Sequence, residues 1–399
     1  MCPSCVEWTL YPFPPLPLLA NLSPRDDDGI DQFHHFVSVA IFAGLAGAIG
    51  MKQYVGDPIH CWVPAHFAGS HSDYAENLCW ISRMYNIHMD DPIPVKIEER
   101  IENDVGFYRW VPAMFLLMAL MFKIPNVLWT EVRTYSGINA QKIVNMADET
   151  ALAPPEQRKK MIADIAQFID RWLVSYRVYK YNVFIRAREK VSGVFCFCFG
   201  KRHGTFLTGL YLFVKVLNCI NVISQFFILS SFLDMDFVTY GWEVITHLNQ
   251  HGNFEDSDMF PRIALCDFQI RQLQNVQRHT LQCVLSINLF VEKMFAVTWF
   301  WLFFLSIASL FNLGKWIYNI AFSSRKERFI QKYLSMLQMD IDDHEKKLLN
   351  KFINDYLRDD GCFLLRTVCN NTSGVLTYDL LKELWGVFKE QHEKKNEYD

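Results

Sequence analysis

Four windows nearly free of charge, each long enough to cross a bilayer, constrain this chain more than any other feature. No Asp, Glu, Lys or Arg occurs from Gln32 to Met51, and Lys123 is the only charge from Trp110 to Thr130. Lys215 is the only charge from His203 to Leu233, and the adjacent Glu292 and Lys293 are the only ones from His279 to Gly314. A helix needs about 20 mostly apolar residues to span the hydrocarbon core. A soluble fold would have to bury four such helices at once, so the chain reads as a polytopic membrane protein, mainly α. A net charge of -4 gives no basis for a nucleic-acid partner; the partner the windows require is the lipid bilayer.

The windows divide the chain into an N-terminal segment 1–31, spans at 32–54, 109–130, 205–233 and 284–313, and connections at 55–108, 131–204 and 234–283, with a tail 314–399. Segment 56–108 has three Lys/Arg against nine acids, and 234–278 three against seven. Segment 131–204 has thirteen Lys/Arg against seven acids, and the tail from 315 carries fourteen. Basic residues are retained on the cytoplasmic side. The first and third connections are therefore expected outside and both termini inside.

Cysteines follow the same division. Cys61 and Cys79 fall in the first outward loop, and Cys266 and Cys283 in the second. Four cysteines in an oxidising compartment allow three pairings, and spacing does not choose among them. The first span runs directly into "YVGDPIHCWVP" (54–64). There Gly56, Asp57 and Pro58 turn the chain, Cys61 anchors it and Trp62 is expected to supply apolar bulk. The reading is a rigid outward body on four spans.

These stretches resemble a known family. "KQYVGDPIHCWVP" (52–64) is similar to the first-loop signature of the innexins, the invertebrate gap-junction proteins, and "YRWVP" (108–112) to the start of their second span, carried by Tyr108, Trp110 and Pro112. "LWTEVRTYSG" (128–137), "FPRIALCDF" (260–268), "NVQRHTLQCVLSIN" (275–288), "EKMFAVTWFW" (292–301) and "YLRDDGCFLLRTVCNN" (356–371) follow in family order. The resemblance implies a four-transmembrane-helix channel subunit with a disulfide-stapled extracellular domain and a helical cytoplasmic domain. It implies homo- or hetero-oligomers with other innexin subunits, eight to a hemichannel, docked to the hemichannel of a neighbouring cell at plasma-membrane gap junctions. It also implies the pairs Cys61–Cys283 and Cys79–Cys266. Closures of this length stabilise by about 3 to 5 kcal/mol each in the chain-entropy model.

Two departures stand out. Arg109 occupies the position of a family Gln, adding a positive charge at the mouth of the second span. Residues 1–24 do not resemble the pore-lining N-terminal helix of the family, because Pro3, Pro12, Pro14, Pro15, Pro17 and Pro24 would break it. Either the pore funnel is altered or absent here, or the segment is foreign to the working protein.

Within the first span, Ala40, Ala43, Gly44, Gly47 and Gly50 bring small residues together. They suit either close helix approach or a wide pore lining. Glu292 and Lys293 lie about 100° apart on one helix and cannot simply pair with each other. Hydrogen bonds from this pair to neighbouring helices or subunits are expected. Lys123 is expected to snorkel to the interface. His60, His66 and His71 match no metal-ligand spacing, and no cofactor motif occurs. The Cys196/Cys198 pair beside the third span reads as buried thiols, and Cys219 as packing. Met161, Ile165, Phe168, Ile169, Trp172, Leu173 and Tyr176, and again Leu348, Leu349, Phe352, Ile353 and Tyr356, recur at helical spacing. The closing "KEQHEKKNEYD" reads as disordered. Sequons at Asn21, Asn370 and Asn371 face the cytoplasm in this topology, and neither outward loop carries one.

An enzyme would need clustered catalytic groups, and the one dense pair, His34–His35, has no partner motif. An adhesion protein or receptor would explain the stapled loops but not the ordered motif series. The function expected is passive passage of ions and small molecules between adjacent cells. The alternative within the same class is an undocked hemichannel in the plasma membrane.

Overall fold

The computed structural model describes residues 27–87, 91–96, 99–100, 104–175, 204–251, 260–335 and 343–398. Residues 1–24, Tyr176, Cys196 and Cys198 lie outside them.

Four helices are long and apolar enough to span a membrane: α1 (Gly29–Tyr54), α3 (Phe107–Ser136), α6 (Phe206–Leu233) and α8 (Ser286–Ala321). Between α1 and α3 lie β1 (His60–Trp62), α2 (Gly69–Ile81) and β2 (Met84–Tyr85). α4 (Ala140–Glu149) and α5 (Pro155–Ser175) follow α3, and α7 (Phe237–His251), β3 (Ile263–Gln272) and β4 (Asn275–Val284) separate α6 from α8. The tail forms α9 (Ser323–Ser335), α10 (Asp343–Lys351), α11 (Arg358–Asn371) and α12 (Gly374–Tyr398). The end expected to be disordered is thus helical through Tyr398. Buried Leu376, Leu380, Leu381, Leu384, Trp385 and Phe388 give this helix an apolar stripe that orders it despite its charged final turns.

The chain divides into two compact units, and each of the four long helices contributes residues to both. One unit comprises residues 38–122 and 220–306. It holds an antiparallel sheet in the order β1-β4-β3-β2. β3 and β4 pair from Ile263↔Val284 to Gln272↔Asn275, so only Leu273 and Gln274 make the turn. Leu273 takes the left-handed φ of 53° that such a tight turn demands. An aromatic core fills the helical part. Phe115 stacks on Phe295 at 5.3 Å, Phe42 on Phe122 at 5.4 Å and Phe260 on Phe295 at 5.8 Å.

The other unit comprises residues 1–37, 123–219 and 307–399. Its core joins Ile165, Ile169, Trp172 and Leu173 of α5 to Phe352, Tyr356, Leu364 and Trp385 of the tail. The two amphipathic stretches therefore pack into one core. Phe168, expected on the inner face of α5, is exposed. Trp172 donates from Nε1 to the Ser136 carbonyl at 3.0 Å, fixing α5 against the end of α3.

Candidate functional site

The corner at 54–64 owes its rigidity to contacts far away in sequence. The Pro58 carbonyl accepts from the Ser286 hydroxyl at 3.1 Å and from the Ile287 amide at 3.3 Å. Both donors lie in the first turn of α8, where backbone amides lack intrahelical partners. Gln53 Nε2 donates to the Tyr108 carbonyl at 2.7 Å, tying the end of α1 to the start of α3. At Gly56 an added Cβ would lie 3.0 Å from the Lys52 carbonyl oxygen, so the close turn favours glycine. Trp62 does not fill this corner. It is 79% exposed, because strand alternation turns His60 and Trp62 outward and Cys61 inward.

Two disulfides staple the loops, Cys61–Cys283 and Cys79–Cys266. Cys61 and Cys283 are register partners across β1 and β4. Cys79 on α2 reaches Cys266 on β3, fastening the helix of one loop to the strand of the other. A third tie was not singled out in the sequence. Arg100 donates to the Asp267 carboxylate at 2.6 Å, and Asp267 also accepts from the Thr280 hydroxyl at 2.6 Å. The Asp267 hydrogen bond holds the Arg100 guanidinium above its ordinary pKa. Burial, reinforced by Asp267, pushes the Tyr85 phenol up to about 12. Of the loop histidines, His66 and His71 flank Phe67, with ring centroids at 4.9 and 6.0 Å. His60 lies 4.0 Å from Glu76.

The small residues of α1 fall on one outward face. Ala40, Ala43, Gly44 and Gly47 are exposed and Gly50 partly so, while Phe42, Ala46, Ile49 and Gln53 are buried. A Cβ added at Gly44, Gly47 or Gly50 would meet nothing within 4 Å. These glycines therefore do not serve close packing within the described chain. Glu292 and Lys293 point apart. Glu292 is 2% exposed and its carboxylate lies 3.9 Å from Arg262, while its carbonyl accepts from the Tyr240 hydroxyl at 3.3 Å. Lys293 and Lys123 are exposed. Arg109 donates to the Ile81 carbonyl at 2.7 Å, whereas Trp110 faces outward.

A buried polar network gathers at the start of α1. Asp28 caps α1, its carboxylate accepting from the Gly29 amide at 2.9 Å, in a capping box with Asp31. Lys215 of α6 lies 2.8 Å from Asp31 and 3.4 Å from Asp28. Trp316 of α8 donates to Asp28 at 3.0 Å, Tyr211 donates to Asp31 at 3.0 Å, and Asn218 donates to Asp31 at 3.3 Å. His35 bonds Asp27 at 2.7 Å and His34 bonds Ser309 at 2.7 Å. Both histidines of the dense pair are thus hydrogen-bonded within this network. The lone charge of the third span is also balanced, across 187 residues of sequence.

A second remote cap lies in the tail. Asp360 accepts from the Thr208 amide at 2.9 Å and from its hydroxyl at 3.0 Å, satisfying the first turn of α6 from α11. Burial raises the Asp360 carboxyl above its ordinary value, outweighing these donors. Burial likewise pushes the Cys362 thiol up to about 12.

Four apolar helices of spanning length, together with two loops stapled by disulfides, define the architecture of a multi-pass membrane protein. The sequence pattern of the innexins matches residues 27–388. The chain is 37% identical to innexin unc-9 of Caenorhabditis elegans over 371 residues, covering 93% of this chain and 94% of that one. It is 30% identical to innexin eat-5 of the same organism, over 94% and 91% of the two chains, and 32% identical to innexin-19 of Caenorhabditis briggsae, over 94% and 89%. The chain belongs to the innexin family. At the family level this makes it a gap-junction channel subunit that assembles with other innexins, and a channel protein rather than an enzyme.

Proposed function

We propose that this chain forms an oligomeric large-pore channel that passes ions and small molecules passively between adjacent cells. The observation that carries the reading is the outward row Ala40, Ala43, Gly44 and Gly47 on α1, which has open space where side chains would project. Small side chains along a water-filled bore keep it wide, and no residue needs to do chemistry. Eight subunits per hemichannel, docking through the stapled loops, and termini on the cytoplasmic side complete the proposal. The charge bias of the connections supports that orientation. Docking draws support from the β3–β4 hairpin, whose residues Arg271 to Arg278 are all exposed while two disulfides hold its base rigid.

Cys61→Ser tests the stapled body. Junctional coupling should be lost while the protein still reaches the cell surface at least in part. Normal coupling in that variant would contradict the proposal. Lost coupling with dye uptake from the medium would show that the pore forms without docking.

A further inference from the structure

α7 presents three sectors to three environments. Phe237, Tyr240 and Val244 are buried against the protein, and Gly241 lies under the Trp299 indole so closely that an added Cβ would fall 2.0 Å from the ring. Val238, Trp242 and Ile245 form an exposed apolar stripe beside that face, with Trp242 67% exposed. Thr239, Glu243 and Thr246 make the third, polar sector. A helix that is packed, apolar-exposed and polar in successive sectors suits a water–lipid boundary, where an apolar stripe sinks to the level of the headgroups.

The depth of α7 can be read from α8. Residues 294–314, between Lys293 and Lys315, carry no charge. At about 1.5 Å per residue they extend about 31 Å, matching a hydrocarbon core of about 30 Å. Trp299 lies about 9 Å inside the Lys293 end by the same rise, and helical side chains lean toward the N-terminus, here toward that boundary. Its Nε1 donates to the Val238 carbonyl at 3.1 Å, and the Tyr240 hydroxyl reaches the Glu292 carbonyl at the boundary itself. α7 also begins only a few residues after α6 ends at Leu233. Phe300 and Phe303, whose rings pack on the same Trp299, are exposed together with Phe304 on α8, in contrast to the small-residue row of α1. Bulky aromatic residues suit lipid, and tryptophan favours the interface.

We propose that α7 is an interfacial helix whose Val238–Trp242–Ile245 stripe binds phospholipid in the leaflet on the side of the disulfide body. Asp234, Asp236 and Glu243 border it, so the surface suits zwitterionic rather than anionic headgroups. Through the Trp299 and Tyr240 bonds, displacement of α7 by the leaflet passes to α8. The assignment rests on the membrane topology proposed above.

Photoreactive benzoylphenylalanine placed singly at Trp242, Ile245, Thr246 and Phe300 of the full chain in cell membranes tests this. After irradiation, Trp242 and Ile245 should give lipid adducts as Phe300 does, and Thr246 should not. Cross-linking of Trp242 and Ile245 to a second copy of the chain, or no adduct at either while Phe300 is labelled, would overturn the proposal. Lipid adducts at Thr246 equal to those at Trp242 would also overturn it, by erasing the sectors. Absence of lipid adduct at Phe300 would instead overturn the spanning reading on which it rests.

Discussion

Lys215 is 4% exposed and balances two buried carboxylates, Asp28 and Asp31. Removing one partner of a buried ion pair costs about 3 to 5 kcal/mol, because the opposite charge is left without compensation. Lys215→Met should therefore lower the thermal unfolding midpoint of the detergent-solubilised protein far more than Lys123→Met at an exposed position, and adding Asp31→Asn should recover part of the loss. An unchanged midpoint for Lys215→Met would contradict the network. Asp360 gives a signed pH effect. Its folded pKa is raised above the unfolded 3.8, so the fold holds this proton more tightly. The stability that follows is fully present below the unfolded value and is lost as pH rises through the folded one. Asp360→Asn should flatten the fall in unfolding midpoint that sets in as pH rises above the ordinary carboxylate value. An identical slope in variant and parent would contradict the assignment. Neither feature was legible in the sequence, because Asp28 and Lys215 lie 187 residues apart and Asp360 and Thr208 lie 152 apart. Local periodicity carries no trace of such partners.

At the scale of elements, α1 offers the most direct test of where the pore runs. Gly47→Leu adds a side chain into space that the described chain does not fill. Surface delivery and oligomer size should be retained while single-channel conductance falls. Loss of assembly with no conductance change in the residual channels would place this face at a subunit contact instead. The spans themselves were legible because charge is absent over whole windows, although α1, α3 and α8 run beyond theirs. α1 starts at Gly29 and α8 continues to Ala321, as the capping Asp28 and the buried Trp316 extend the helices past the apolar stretch. The corner at 54–64 was legible as a rigid turn. The direction in which Trp62 points was not, since only the pairing of β1 with β4 sets it.

On the scale of the whole molecule, the resemblance implied which cysteines pair, and the structure joins the same pairs across 222 and 187 residues. The sheet, the Arg100–Asp267 tie and the two disulfides bind both loops into one body, as a rigid docking surface requires. Family membership fixes the class, and the intercellular pore is the central claim. Paired-cell recording tests it most directly, with the chain expressed in both of two coupling-deficient cells. Current should pass between the cells, followed by a small dye. Surface-delivered protein that gives neither current nor dye transfer, even when a second innexin is coexpressed, would contradict it.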